Sequence, residues 1–408
     1  MKPAKLLIID FSDPEGNTAT IDLETLKNFN VQSATIIETI TKYTESNRAD
    51  FIKLLPFIDL LICNLLEMEK ILDVTLNTYQ DIQNAAQRLL QWGAKSVLIK
   101  ASQLKKDSFC QDYWSNQEES FWMATPRLPK QTMVTKAIFS TAIAACLVRN
   151  YSLKDAMVIA KMYIQRGLRN AYTEKQTLKF FHNGWPEEQI DLPYVCAKPL
   201  LKLPPIFKPC ITGLYPIVDS SLWVERLLRQ GVKCIQLRIK EANELFLEHE
   251  IKRSVFLTNQ YQAKLFVNDY WQLAIRLQAA GVHLGQEDLH DADINAIYRS
   301  GLYLGVSTHC YYEIARAHAN NPSYIACGPI YFTNSKEMLF PPQGIEQLKY
   351  WRRTLSYPLV AIGGITLERL PDIIKSKVEG ISVISAITQA RDPCAAIEEF
   401  LRQINQPK

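Results

Sequence analysis

From Leu214 to Gln403 the chain alternates short apolar, β-rich runs with longer stretches of helical period, eight times over. The strand runs are LYPIVD (214–219), KCIQLRIK (233–240), KLFVND (264–269), GVHLG (281–285), YLGVSTH (303–309), YIACGPI (324–330), LVAIGGI (359–365) and GISVISAI (380–387). Helical stretches such as SLWVERLLRQ, YWQLAIRLQAA and GIEQLKYWRRTL lie between them, and DPCAAIEEFLRQI follows the last. Near-continuous apolar runs suit strands buried on both faces, as parallel strands covered by helices are. Eight strand–helix units in roughly 200 residues predict a (β/α)8 TIM barrel at the short end of its size range. An open doubly wound α/β sheet would alternate in the same way, because periodicity does not report closure.

The chain has 408 residues, too many for one ordinary core. The stretch DLPYVCAKPLLKLPPIFKPC (191–210) carries Pro193, Pro199, Pro204, Pro205 and Pro209. Proline removes backbone donors and fixes φ, so this stretch reads as neither helix nor central strand. It divides the chain into an N-terminal domain (1–190), a proline-rich linker (191–210) and the barrel (211–405). A net charge of +4 and the lack of a basic run with interleaved aromatics give no argument for nucleic acid. No apolar run approaches the roughly 20 residues of a membrane helix. The start, MKPAKLLIIDFSD, enters a strand-like run without a signal peptide, and the nine cysteines are scattered without zinc spacing. A cytoplasmic protein of small-molecule substrates is expected. The oligomeric state stays open, a homo-oligomer included.

A barrel of this type carries its chemistry where the strands end. Gln236, Arg238 and Lys240 close the second run, and Asn268 and Asp269 the third. Asp288 follows the fourth, and Ser307 and His309 close the fifth. Thr333, Ser335 and Lys336 follow the sixth; Gly363 and Gly364 close the seventh, and Ser385 the eighth. Taken singly these residues are unremarkable. Asp269 would be a helix cap, Arg238 and Lys240 surface charges, Ser307 a turn hydroxyl and His283 a structural histidine. Taken together they place three cations and two carboxylates on one rim. Arg and Lys suit phosphate oxygens, and two carboxylates facing phosphates suit Mg²⁺, which takes few protein ligands. GGI and ISAI fall after the seventh and eighth strands, the usual phosphate position of this fold. The rim therefore has the makings of a metal–diphosphate site and a separate monophosphate site. No acid–base pair remains once the two acids go to metal, which fits departure of diphosphate from an activated carbon.

The segments QLRIK, FVNDYWQLA, GVHLGQEDL, LGVSTH, SYIACGPIYFTNSK, VAIGGIT and VISAITQA, in this order from Gly213 to Gln403, resemble the thiamine-phosphate synthases. The resemblance implies a (β/α)8 barrel that joins a hydroxymethylpyrimidine diphosphate to a thiazole phosphate. It implies that Gln236, Leu237, Arg238, Ile239, Lys240, Asn268, Ser307 and Lys336 hold the pyrimidine diphosphate, with Arg238, Lys240 and Lys336 as the catalytic cations. It implies Mg²⁺ on Asp269 and Asp288, and the thiazole phosphate on Thr333, Asn334, Ser335, Gly364, Ile384 and Ser385. Ser335 replaces the family's usual threonine, and Tyr331-Phe332 its usual Phe-Pro.

The first half resembles the hydroxymethylpyrimidine phosphate kinases of the ribokinase fold, through IDFSDPEGNTATIDLETLKNFNV, DLLICNLLEMEKIL, GAKSVLIKASQL and STAIAACLVRNYSLKDAMVIAKMYI. That family has Gly-Thr-Gly-Cys at a helix N-terminus, where N–H groups meet the transferring phosphate. Here Val134, Thr135, Lys136 and Ala137 stand in those places, and the opening glycine cluster is thinned to Gly16. Only about ten residues separate TITKYTESN from DLLICN, where that family has a longer strand and helix. The resemblance thus implies a truncated, degenerate kinase domain without kinase activity. A bifunctional kinase–synthase and a non-catalytic sensor of thiamine intermediates are the competing readings.

Overall fold

The computed structural model describes residues 8–10, 25, 28–29, 48–102, 104, 108–128, 135–174, 177–181, 184–240, 243–333 and 341–406, with the backbone alone for 8–10, 50, 135–137, 174 and 177–178. The chain forms two units, Met1–Leu203 and Pro204–Lys408.

The first unit is built on a six-stranded sheet in the order β1-β2-β3-β4-β5-β8. Strands β1 (Ile8–Asp10), β2 (Leu60–Asn64) and β3 (Ser96–Lys100) run parallel. Strands β4 (Phe109–Asn116), β5 (Ser120–Pro126) and β8 (Tyr194–Cys196) continue the sheet antiparallel. A separate hairpin joins β6 (Tyr172–Glu174) to β7 (Thr177–Lys179). Helix Leu65–Leu72 starts at a reciprocal cap between Asn64 and Glu67, and Tyr79–Gln91 at one between Thr78 and Asp81. Their apolar faces cover β2 and β3 through Met68, Ile71, Ile82, Ala86 and Leu89. Helices Thr135–Val148 and Leu153–Arg169 pack together, and Lys161 reaches Asp112 of β4 at 2.6 Å in the interior.

Part of the proline-rich stretch expected to be a linker is regular structure. Tyr194–Cys196 is an edge strand, a place where flanking prolines cost the sheet no donor. Asp191 is fully buried and takes both Nε and Nη2 of Arg169, at 3.0 and 2.7 Å. The Leu200 amide donates to Gln111 Oε1 at 2.8 Å, and Gln111 Nε2 donates to the Leu200 carbonyl at 3.1 Å. From Pro204 the chain belongs to the second unit, where Phe207 N donates to the Asn321 carbonyl and Cys210 N to that of Ser323.

The second unit is a closed barrel of eight parallel strands, which removes the open-sheet alternative. They are β9 (Gly213–Val218), β10 (Cys234–Leu237), β11 (Lys264–Asn268), β12 (Gly281–Leu284), β13 (Tyr303–Thr308), β14 (Tyr324–Cys327), β15 (Leu359–Ile362) and β16 (Gly380–Val383). β16 pairs with β9 to complete the circle. Side chains fill the interior: Tyr215, Phe266 and Tyr324 meet edge to face with centroids 5.3–5.7 Å apart. Glycine makes the room. A Cβ at Gly305 would lie 2.2 Å from the Tyr324 ring, and one at Gly281 2.5 Å from that of Phe266.

Candidate active site

Asp269 follows the last residue of β11 and has φ 64°, a left-handed conformation unusual for a residue with a Cβ. The backbone is held there by Asp269 N donating to the His283 carbonyl at 2.9 Å and Trp271 N to that of Asp269 at 2.7 Å. Asp288 lies in the first turn of the short helix Gln286–Asp291 after β12. Neither acid caps a helix: Tyr270 and Gly285 hold the N-cap positions, without a side-chain cap bond. The ordinary reason for an aspartate after a strand therefore does not apply. Instead the two carboxyls meet. Burial, then the Asp288 charge and a hydrogen bond to Asp288, push the Asp269 carboxyl up to about 6, against the pull of the Gly285 N–H and Arg238. Asn268 Nδ2 also donates to Asp269 Oδ2. Two adjoining carboxyls, one of them raised by the other's charge, suit a divalent cation between them. Among the described residues no group of three or more His, Cys, Asp or Glu gathers. The protein would give such a cation two carboxylates, and substrate oxygens and water the rest, which fits Mg²⁺.

The run Gln236–Lys240 divides by alternation. Gln236 lies in the interior, 1% exposed, its Nε2 donating to Tyr215 Oη at 3.1 Å. Arg238 is half-buried, its amide donating to the Val218 carbonyl at 2.7 Å, and Lys240 is exposed. Leu237 and Ile239 are buried, with Ile235, on the opposite parity. Their side chains serve the packing, so a ligand could meet these two only through the backbone. Ser307, near the end of β13, is half-buried and lies 2.7 Å from His283 Nε2, and its carbonyl accepts from Gln286 Nε2 at 2.7 Å. His309 is turned to Glu313 at 2.7 Å.

The loops after β14 and β15 are stitched together. Ile330 N donates to the Ile362 carbonyl and Tyr331 N to that of Gly363. Gly363 and Gly364 have φ of 97° and 63°. A Cβ at Gly364 would lie 2.4 Å from the Phe332 carbonyl oxygen, so the missing side chain first lets these loops meet. Thr333 ends the described part of the loop; Asn334, Ser335 and Lys336 lie outside the described residues. After β16 a short helix, Ser385–Thr388, begins at Ile384, in the position this fold uses for phosphate.

The sequence model of the family described as thiamine monophosphate synthase matches residues 214–387. The thiamine-phosphate synthase of Enterobacter sp. (strain 638) is 52% identical over 200 residues, 49% of this chain and 94% of that protein. That of Photorhabdus laumondii is 55% identical over 190 residues, 46% of this chain and 88% of that protein. The chain belongs to the thiamine-phosphate synthase family. A solved thiamine phosphate pyrophosphorylase from Pyrococcus furiosus is 32% identical, with a TM-score of 0.43, over 47% of this chain and 95% of that one. A second family model, described as phosphomethylpyrimidine kinase, matches residues 43–180.

In this member of the synthase family, sequence reasoning had left out the residues behind the rim. Tyr215, Tyr324 and Gln286 give no functional signal in the sequence, and His283 there reads as structural. Each sits in an apolar or turn segment that looks like ordinary strand or loop. Only barrel closure brings β9, β12 and β14 close enough for their polar atoms to bond.

Proposed function

We propose that the second half of the chain is a thiamine-phosphate synthase. It condenses 4-amino-2-methyl-5-(diphosphooxymethyl)pyrimidine with a thiazole ethyl phosphate to give thiamine phosphate and diphosphate. The observation that carries this reading is the carboxylate pair Asp269–Asp288, with Arg238 beside it, at the strand ends of a barrel half identical to named synthases. Arg238 and Lys240, with Lys336 of the loop after β14, would bind the diphosphate. Asn268 and Ser307 would fix its orientation. Mg²⁺ held by Asp269 and Asp288 would neutralise charge on the diphosphate oxygens. Thr333, Asn334 and Ser335, the glycine pair at Gly364, and the turn at Ile384 and Ser385 would hold the thiazole phosphate. The C–O bond to diphosphate breaks, the leaving group takes the electron pair, and the thiazole nitrogen forms the new C–N bond. No general base is required. The test is diphosphate release by the full chain given both substrates and Mg²⁺. Release that needs each of the three supports the reading, and no release at saturating substrates would end it.

For the first half we propose a kinase-like domain without kinase activity, because Val134, Lys136 and Ala137 stand where the resembling kinases have Gly, Gly and Cys. The match of residues 43–180 to the phosphomethylpyrimidine kinase model favours the competing bifunctional reading. Assay of phosphoryl transfer from ATP to hydroxymethylpyrimidine phosphate separates them.

A further inference from the structure

A hydrogen-bonded chain runs through the barrel interior from β10 to β13. Gln236 Nε2 donates to Tyr215 Oη at 3.1 Å, Tyr215 Oη lies 2.7 Å from Tyr324 Oη, and Tyr324 Oη lies 2.8 Å from His283 Nδ1. His283 Nε2 lies 2.7 Å from Ser307 Oγ. Gln236, Tyr215 and Tyr324 are each at most 1% exposed and His283 is 5% exposed. The His283 ring stacks on Tyr324 at 21° and 5.7 Å, and Gly305 supplies the space for the Tyr324 ring.

One direction along the chain gives every donor an acceptor. In that direction the Gln236 amide nitrogen donates to Tyr215 Oη and the Tyr215 proton goes to Tyr324. Tyr324 then gives its proton to His283 Nδ1. A neutral imidazole that accepts at Nδ1 carries its proton at Nε2 and donates it to Ser307 Oγ. Ser307 has thus filled an acceptor position, and its own hydroxyl proton is left for whatever occupies the rim. Burial pushes both phenols well above their ordinary value, so each stays a hydroxyl donor. An uncompensated donor at this depth would be costly, which makes the polarity a property of the whole chain.

We propose that Gln236, Tyr215, Tyr324 and His283 act as a polarised set of positioning residues that hold Ser307 as a hydrogen-bond donor to an anionic oxygen of the diphosphate substrate. The inference deepens the synthase reading and rests on it for the name of the anion. The polarity itself can be read without any substrate.

The experiment uses the full chain labelled with ¹⁵N-histidine, with the His283 signals assigned by their loss in His283→Gln. The expected tautomer has the proton on Nε2; a proton on Nδ1 would reverse the chain and overturn the proposal. Kinetics give a second arm. His283→Leu should lower kcat/KM for the pyrimidine diphosphate by about 10–100-fold, as removal of a supporting hydrogen-bond partner does. His283→Gln, which returns an N–H toward Ser307, should recover part of the loss. In a Ser307→Ala background His283→Leu should cost little more, because it acts through that hydroxyl. Independent, multiplying losses would mean a merely structural histidine and sink the proposal. If the unaltered chain releases no diphosphate, the synthase reading fails, and the tautomer still decides the polarity.

Discussion

Asp269 pays for its position in backbone terms. Holding a residue with a side chain at φ 64° costs about 1–3 kcal/mol, and the neighbouring Asp288 adds repulsion. Strain of this kind persists where the surroundings impose it and often marks a working site. Asp269→Gly should therefore leave the thermal midpoint level or higher while synthase turnover falls at least about 100-fold, as for other groups that stabilise transition-state charge. Asp288→Ala should lose activity to a similar degree with an unchanged fold, and chelation should stop turnover until Mg²⁺ is restored. Near-normal rates in both variants would remove the metal assignment. Gly364 behaves differently. A side chain there meets the Phe332 carbonyl at 2.4 Å as well as an unfavourable φ. Gly364→Ala should thus destabilise the barrel by about 1–3 kcal/mol and weaken use of the thiazole, both from displacement of the loop after β14. Unfolding curves that superimpose on those of the unaltered chain would contradict this. Reading Gly364 from the sequence as a phosphate contact misses that first duty, since the loop it meets is 32 residues away, at Phe332.

The eight barrel strands were legible because each is a short apolar run between helical stretches, and burial on both faces leaves that imprint on the sequence. Closure was not legible, since an open sheet of the same strands has the same period. Nor was β8. Its three residues sit among prolines, and its place depends on β5 offering an edge. The aromatic filling of the barrel was likewise hidden: Gly281 and Gly305 look like strand starts or breaks until the rings they accommodate are known. Gly305 yields a prediction at this scale. A methyl group there drives the Tyr324 ring away, and overpacking of that kind costs about 1–3 kcal/mol. Gly305→Ala should lower stability to that extent. It should also shift the His283 ¹⁵N signals, because Tyr324 can no longer keep its bond to Nδ1. A variant as stable as the parent with unmoved His283 signals would show that the interior can absorb the methyl group without disturbing the chain.

At the scale of the molecule, each unit closes its own structure: β8 and Leu200 return to the first sheet, and Phe207 and Cys210 bond to Asn321 and Ser323. Residues 204–408 alone should therefore keep synthase turnover if they remain in solution. The first unit is the harder case. Its sequence matches the phosphomethylpyrimidine kinase model from residue 43 to residue 180. Phosphoryl transfer, however, needs small residues where N–H groups meet the moving phosphate. At the start of helix Thr135–Val148 the sequence has Val134, which lies outside the described residues, Lys136 and Ala137, where the resembling kinases have Gly, Gly and Cys. One lost donor of this kind is worth about 3–4 kcal/mol of barrier. The stretch after Asn47 is also short, with only Arg48–Leu54 and Leu55–Phe57 before β2. We therefore expect the full chain, given ATP, Mg²⁺ and hydroxymethylpyrimidine phosphate, to form no pyrimidine diphosphate above a control without protein, while the same preparation makes thiamine phosphate from supplied diphosphate. The combined changes Val134→Gly, Lys136→Gly and Ala137→Cys should not restore transfer, because the shortened stretch remains. ATP-dependent formation of the diphosphate by the unaltered chain would establish the bifunctional reading instead, and would mean that a kinase of this frame can work without its glycines.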